Sequence, residues 1–154
     1  MDNNSTVSIP GDAPDGFTGT GYLVVRVYTA RGGIPVEGAI VTINHADPDS
    51  TSPHAVLVTD RSGRTNKIAL PAPPRSLSLE PSGDSVYPAE PPYALYNVEI
   101  AREGFYTLND MNVRIFAGIT AIQDADLVPR AEGLPRTYYT DDSIYIDQGE
   151  EGGL

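Results

Sequence analysis

The stretch GYLVVRVYT, from Gly21 to Thr29, decides the fold. Leu23, Val25 and Val27 occupy every second position in it, and side chains two residues apart point to the same face of a β-strand. The stretch therefore predicts a strand with one aliphatic face turned toward a core.

Six further β-rich runs follow, each bounded by turn-forming residues. They are VEGAIVTIN, HAVLVTD, NKIAL, YALYNVEIAREGFYTL, MNVRIF and ITAIQDADLVP. The chain of 154 residues holds 15 Gly and 14 Pro, which interrupt it too often for long helices. The sequence thus predicts an all-β fold, an antiparallel β-sandwich of seven or possibly eight strands. We expect antiparallel pairing because no gap contains a helix long enough for a parallel crossover.

Alternation along these runs also predicts which side chains share the interior. The predicted core set is Leu23, Val25, Val27, Ala39, Val41, Ile43, Tyr96, Val98 and Ile100.

Charge and proline content divide the chain into three parts. Residues 1–16 and 137–154 hold eight acids and no base, which leaves 13 acids against 10 bases in the body of a chain whose net charge is −11. We expect a flexible acidic segment at 1–18, the sandwich domain at 19–130 and an acidic, Tyr-containing tail at 131–154. Seven prolines mark residues 71–92 as an inserted loop, because proline lacks the donor that a sheet ladder needs.

The tail leaves two alternatives open. Its Tyr138, Tyr139 and Tyr145 make it too apolar for a purely solvating segment and form a candidate interaction surface. It either adds a strand to its own sheet, which we place slightly ahead, or docks on a neighbouring chain by strand addition.

Composition excludes several classes of function. The chain has no cysteine, so disulfides, Cys-zinc sites, iron–sulfur clusters and thiol catalysis are ruled out. The acidic balance argues against nucleic acid or an anionic membrane surface as partner, since both require clustered Lys and Arg. No apolar run is long enough for membrane insertion, and the start MDNNSTVSIPGD does not resemble a signal peptide.

The only weak candidate for a metal site is the loop HADPDSTSPH. His45, Asp47, Asp49 and His54 are ligand types that satisfy zinc, but two prolines separate them in a polar loop that we expect to be a solvated connector. The loop also lacks the residue order of a calcium-binding loop. We therefore expect no metal and no cofactor.

No catalytic arrangement stands out. The chain has no G-x-S-x-G elbow, only two His that could act as a base, and no distinctive pair among its 21 acids. We expect no catalytic residues.

The order of the motifs resembles the carboxypeptidase regulatory-like domain, which belongs to the transthyretin-like and prealbumin-like β-sandwiches. The matching stretches are GYLVVRV, PVEGAIVTI, VTDRSGRT and YNVEIAREGFY, and they span Gly21 to about Pro129. The resemblance implies a transthyretin-like Greek key. Within this family, the chain is similar to versions found in spore and cell-envelope proteins of Firmicutes. Hydroxyisourate hydrolases and intradiol dioxygenases are related, but the Y-R-G-S motif of the former and the H-x-H-like pair of the latter are missing here.

These observations lead to an expected role. The resemblance, with no catalytic arrangement, predicts a non-catalytic structural or protein-interaction module of the spore or cell envelope. The alternative is a carbohydrate- or peptidoglycan-binding accessory module, and an unrecognised hydrolase is the least favoured. As partner we expect another protein, a second copy of the chain bound through a sheet edge or the tail, or a cell-wall glycan. We expect the protein to be located on the envelope or in the cytoplasm.

Overall fold

The computed structural model describes residues 16–47, 53–76, 91–130, 137–139 and 143–146. Within these ranges the chain forms ten strands in two sheets. None of the residues described belongs to a helix long and apolar enough to span a bilayer. The strands are β1 Gly19–Thr29, β2 Ile34–Pro35, β3 Ile40–His45, β4 Ala55–Val58, β5 Ile68–Ala72, β6 Tyr93–Ala101, β7 Thr107–Phe116, β8 Thr120–Leu127, β9 Thr137–Tyr139 and β10 Ser143–Ile146.

The two sheets are built around different strands. In the first sheet, β1 pairs with β8 along one edge and with β5 and β2 along the other. The second sheet has the order β4-β3-β6-β7-β10-β9 and is antiparallel throughout. The predicted all-β sandwich is confirmed, and the seven predicted runs correspond to β1 and β3 through β8.

One pairing differs from the expectation. β1 and β8 run parallel, with residues 22–29 opposite residues 120–127, so the prediction of purely antiparallel pairing is wrong for this pair. That prediction assumed that a parallel pair needs a local crossover helix. Here the connection from β1 to β8 passes through both sheets, with β2 and β5 in the first and β3, β4, β6 and β7 in the second, and these strands replace a crossover helix.

The core lies between the two sheets and contains the predicted set. All nine predicted side chains are 0% exposed. They alternate with half-exposed residues along β1 and β6, as the two-residue period of a pleated strand requires. The free energy of burying these side chains is the main favourable term that holds the two sheets together.

A close approach between the sheets occurs at Gly21 in β1. A Cβ atom there would lie 2.5 Å from Cγ2 of Ile115 and 2.5 Å from the carbonyl oxygen of Phe116. By contrast, Gly38 has a φ of 77° and its Cβ would make only ordinary contact with Arg102. Gly38 is therefore required for its backbone conformation and not for a close approach between the sheets, which Gly21 provides.

The proline-rich segment starts later than its sequence indicates. Pro71 lies in β5 opposite Thr20 of β1, and Ala72 opposite Gly19. β5 pairs with no other strand among the described residues, which makes Pro71 an edge-strand proline that leaves the ladder to β1 intact. Residues 77–90 of the predicted insertion lie outside the described residues.

The backbone of the tail pairs with its own sheet. Residues 143–146 of β10 lie opposite residues 107–110 of β7, and β9 lies opposite β10. This arrangement corresponds to the first of the two alternatives, the addition of strands to the chain's own sheet.

The close approach at Gly21 gives a prediction for stability. We expect Gly21→Ala to lower the free energy of unfolding by about 1–3 kcal/mol, because the added methyl group overpacks the space beside Ile115. Chemical denaturation measures the difference. The matched control is Thr20→Ala at the neighbouring exposed position, where a change within about 0.5 kcal/mol is expected. Equal stability of the two variants would contradict the close approach.

Candidate functional site

Two histidines separated by nine positions in sequence meet at one end of the second sheet. His45 is the last residue of β3, and His54 directly precedes β4. The backbone N–H of His54 donates to the carbonyl oxygen of Ile43 at 2.7 Å, which continues the β3–β4 pairing past the end of the ladder. The hairpin geometry therefore brings together two side chains that the sequence separates by a loop.

Their rings contact each other and a buried tyrosine. The ring centroids of His45 and His54 are 4.9 Å apart, with the planes nearly perpendicular at 81°. Tyr96 lies directly opposite His45 in the β3–β6 ladder, and its ring centroid is 5.0 Å from that of His45 and 6.0 Å from that of His54. We call these three residues the histidine cluster.

Three imidazole nitrogens of the histidine cluster have no hydrogen-bond partner among the described residues. They are Nε2 of His45 and both Nδ1 and Nε2 of His54, and all three are buried. His54 is only 4% exposed. A buried polar atom without a partner is destabilising by about 1–3 kcal/mol, so three of them in one cluster are unusual for a merely structural arrangement.

Burial keeps both imidazoles neutral. It lowers the pKa of His45, an effect that the negative charge of Asp47 partly opposes. It also lowers the pKa of His54, and the neighbouring His45 lowers that pKa further. A neutral imidazole has one nitrogen with a free lone pair, which is the form that binds a metal ion.

The tyrosine of the cluster is held as a neutral phenol. Its hydroxyl donates a hydrogen bond to the carbonyl oxygen of Pro71 in β5 at 2.6 Å. Burial raises the pKa of Tyr96 well above its ordinary value. Tyr96 therefore links the second sheet to the first and supports the ring of His45, but it does not offer a phenolate oxygen.

The other residues suggested by the sequence take different places. Asp47 is exposed and acts on His45 through its charge, while Asp49 lies outside the described residues. Across the described ranges, no three His, Asp or Glu side chains come together as metal ligands. Tyr138 and Tyr139 lie on β9 and Tyr145 on β10.

The sequence did not indicate the role of Tyr96. Its alternation with Val98 and Ile100 placed it correctly in the core, but nothing in that pattern placed it beside the histidines. The missing information is the register of β3 against β6, which pairs His45 with Tyr96. Register depends on the whole ladder rather than on either strand alone.

Comparisons with known proteins show similarity of fold only. No protein-family model matches the chain, and no curated protein matches it either. Catechol 1,2-dioxygenase from Acinetobacter sp. ADP1 has a TM-score of 0.53 at 15% identity, over 86% of this chain and 60% of that one. The catechol 1,2-dioxygenase from Pseudomonas arvilla C-1 has a TM-score of 0.50 at 16% identity, over 83% and 57%.

A minor pilin is also similar at a lower level. GBS52 from Streptococcus agalactiae has a TM-score of 0.47 at 16% identity, over 77% of this chain and 49% of the pilin. The chain therefore spans less than two thirds of each of these three proteins.

These similarities correct the expected function. The prediction of a non-catalytic structural or interaction module of the spore or cell envelope is wrong, because the structural neighbours include catechol and hydroxyquinol dioxygenases. The prediction moved from fold to role, and a fold that enzymes share does not support that step. The carbohydrate-binding and hydrolase alternatives belonged to the same prediction and are not carried further.

At 13–16% identity, the likeness to the dioxygenases shows the fold alone and assigns no ligand and no reaction to this chain.

The lowered pKa values predict how stability depends on pH. A histidine whose pKa is lower in the folded state than its ordinary value of 6.5 binds more protons when unfolded, so the free energy of unfolding decreases as the pH falls below 6.5. With a chelator present, we expect a decrease of up to about 1.4 kcal/mol per pH unit for each histidine. Denaturation at several pH values between about 7.5 and 5 measures it.

The control for this prediction is His54→Phe, which keeps a ring in place but cannot titrate. We expect the variant to lose part of the pH dependence and to be at least as stable as the wild type, since it removes two unpartnered polar atoms. An unchanged pH dependence in this variant would show that His54 is protonated as easily in the folded chain as in the unfolded one.

Proposed function

We propose that the protein binds one transition-metal ion through the imidazoles of His45 and His54. The observation that supports this function is the set of three buried ring nitrogens without partners on two rings whose centroids are 4.9 Å apart. An ion bonded at about 2 Å to one nitrogen of each ring, with a tetrahedral angle between them, places the two centroids about 5 Å apart.

The chemistry of the donors favours borderline metals. Imidazole nitrogens bind zinc, copper and nickel, whereas calcium and magnesium require oxygen ligands. By the general order of divalent affinities, Cu²⁺ binds more tightly than Zn²⁺ at such a site. Two protein ligands leave coordination positions for water or another small ligand.

The surroundings support such a centre. Burial holds both imidazoles neutral near pH 7, so a metal ion does not have to displace a proton from either ring. The ring of Tyr96 packs against His45 and limits its rotation, and its bond to Pro71 anchors it to the other sheet. Asp47 adds a negative charge that favours a cation near His45.

Titration calorimetry of the full chain with Zn²⁺ tests this function. We expect one ion per chain with a dissociation constant in the micromolar range, tighter binding of Cu²⁺ and no heat with Ca²⁺. We expect His45→Phe and His54→Phe each to remove measurable zinc binding, because one imidazole alone binds weakly. Circular dichroism confirms that each variant is folded.

Asp47→Asn is the comparison variant in this experiment. It removes a charge near the site but no ligand, so we expect it to weaken zinc binding only a few-fold. Zinc binding that persists when both histidines are replaced by Phe would contradict the proposed site, as would a folded wild type that gives no heat. A loss of binding in Asp47→Asn as large as in His54→Phe would contradict the two-imidazole ligand set.

We also propose that the chain is related to the carboxypeptidase regulatory-like domains. The order of the four motif stretches and the β-sandwich that they form support this relationship. The location of the protein, on the envelope or in the cytoplasm, stays a prediction from the sequence.

A further inference from the structure

A groove opens between β7 and β8 on the flank of the sandwich away from β4. Its volume is about 620 Å³, within the range of small-molecule sites. Val113 lines this groove and lies opposite Tyr96 in the β6–β7 ladder, while Tyr96 lies opposite His45 in the β3–β6 ladder. The groove therefore lies about one strand spacing from Tyr96 and about two, or roughly 10 Å, from His45, and its lining includes neither histidine.

The strand pairing explains why this flank is open. In the described part of the chain, β10 pairs with β7 along residues 107–110, and β8 pairs with β1. None of the described strands covers residues 112–114 of β7 on this side or the outer edge of β8. The groove lies between these two uncovered segments.

A buried carboxylate forms the base of the groove. Asp110 is only 7% exposed, and its Oδ2 accepts a hydrogen bond from Nε2 of Gln123 at 3.1 Å. Gln123 belongs to the other sheet, so this bond spans the groove and fixes the orientation of the carboxylate. A negative charge held at the base of a partly apolar groove attracts a cation more strongly than the same charge does in water.

A bulge shapes the wall next to this carboxylate. The β6–β7 register shifts between Tyr96 and Val98, so that two residues of β7 oppose Asn97. Asn112, one of the two, has a left-handed φ of 64° and donates its N–H to Oδ1 of Asn97 at 3.1 Å. Such bulges redirect side chains and are over-represented beside functional sites.

The remaining walls are mixed. Val113 and Ala121 are apolar, whereas Asn112 and Gln123 are polar. Ile122 lies opposite Val24 of β1, and therefore on the outer face of β8, where it is 53% exposed at the rim of the groove. The guanidinium of Arg114 also lies at the rim, 5.0 Å from the centroid of the Tyr93 ring. A few convergent polar groups beside apolar side chains are a feature of small-molecule sites.

We propose that this groove binds a small organic ammonium ion with an apolar body. The ammonium group pairs with Asp110, and the apolar body packs against Val113 and Ala121. The net charge of −11 raises the local concentration of such cations around the protein.

The test is a nuclear magnetic resonance titration of the full chain with two probes of equal shape. 2-Phenylethylammonium has the proposed chemistry, and 2-phenylethanol is its neutral counterpart. We expect the ammonium to shift the amide signals of residues 112–114 and 121–123 in a saturable manner. We expect the alcohol to bind about tenfold more weakly or less, because it cannot form the charged pair with Asp110.

Three variants locate the binding. Asp110→Asn is expected to weaken ammonium binding by about tenfold or more, whereas Glu103→Gln, which removes the same charge at an exposed turn outside the groove, leaves it within about twofold. Ile122→Lys changes only an exposed rim residue and is expected to weaken binding through its positive charge. If Asp110→Asn does not fold, Ile122→Lys shows by itself whether the ammonium binds in the groove.

Several results would overturn the proposal. The first is an absence of shifts at the groove residues, and the second is equal affinity for the alcohol and the ammonium. The others are an equal loss of ammonium affinity in Glu103→Gln and Asp110→Asn, or an unchanged ammonium affinity in Ile122→Lys. The titrations are done with a chelator, so that the outcome is independent of metal binding at the histidine cluster.

Discussion

The inner face of β1 packed against the second sheet is the constraint on which the structure depends. β1 is hydrogen-bonded along both edges, to β8 on one side and to β5 and β2 on the other, so no strand of the first sheet lies more than one position from it. The aliphatic side chains on its inner face, Leu23, Val25 and Val27, are completely buried, and Gly21 lets the backbone approach Ile115 and Phe116 of β7. Because these contacts determine where β7 lies, they also determine where the β7–β8 groove opens.

The positions of both candidate sites follow from one row of side chains across the second sheet. His45, Tyr96 and Val113 are consecutive members of this row, and all three point into the sandwich because directly opposed residues share a face. At the His45 end of the row, the ring of Tyr96 packs against both imidazoles and its hydroxyl reaches Pro71 of the other sheet, so the imidazoles lie in a buried cluster. At the Val113 end, next to the bulge beside Asn97, the groove has a carboxylate at its base. One register thus produces two sites of opposite character.

The fold was predictable from the sequence where it depends on local alternation, and less so where it depends on register. The alternation of Leu23, Val25 and Val27 states which face is buried, because a two-residue period is a property of the strand itself. The parallel pairing of β1 with β8 is a long-range choice between strands about a hundred residues apart, and no local pattern encodes it.

The same limit applies to the site. The ligand types in HADPDSTSPH were visible, but the contact between His45 and His54 and the place of Tyr96 depend on pairing across β3, β4 and β6. No pattern in the sequence indicated the contact between Asp110 and Gln123, since these residues meet across the gap between the two sheets.

The failure of the expected function and the support for the proposed one have the same physical basis. A β-sandwich requires apolar alternation and turn residues, and those requirements are the same whatever function the fold carries, so motifs that build the fold say nothing about chemistry. Three unpartnered nitrogens are different, because building the fold does not require them and they lower its stability. A phenylalanine pair would fill the same space without that loss. A ligand that bonds to these polar atoms would account for them, and we propose a metal ion as that ligand because neutral imidazole nitrogens are metal donors.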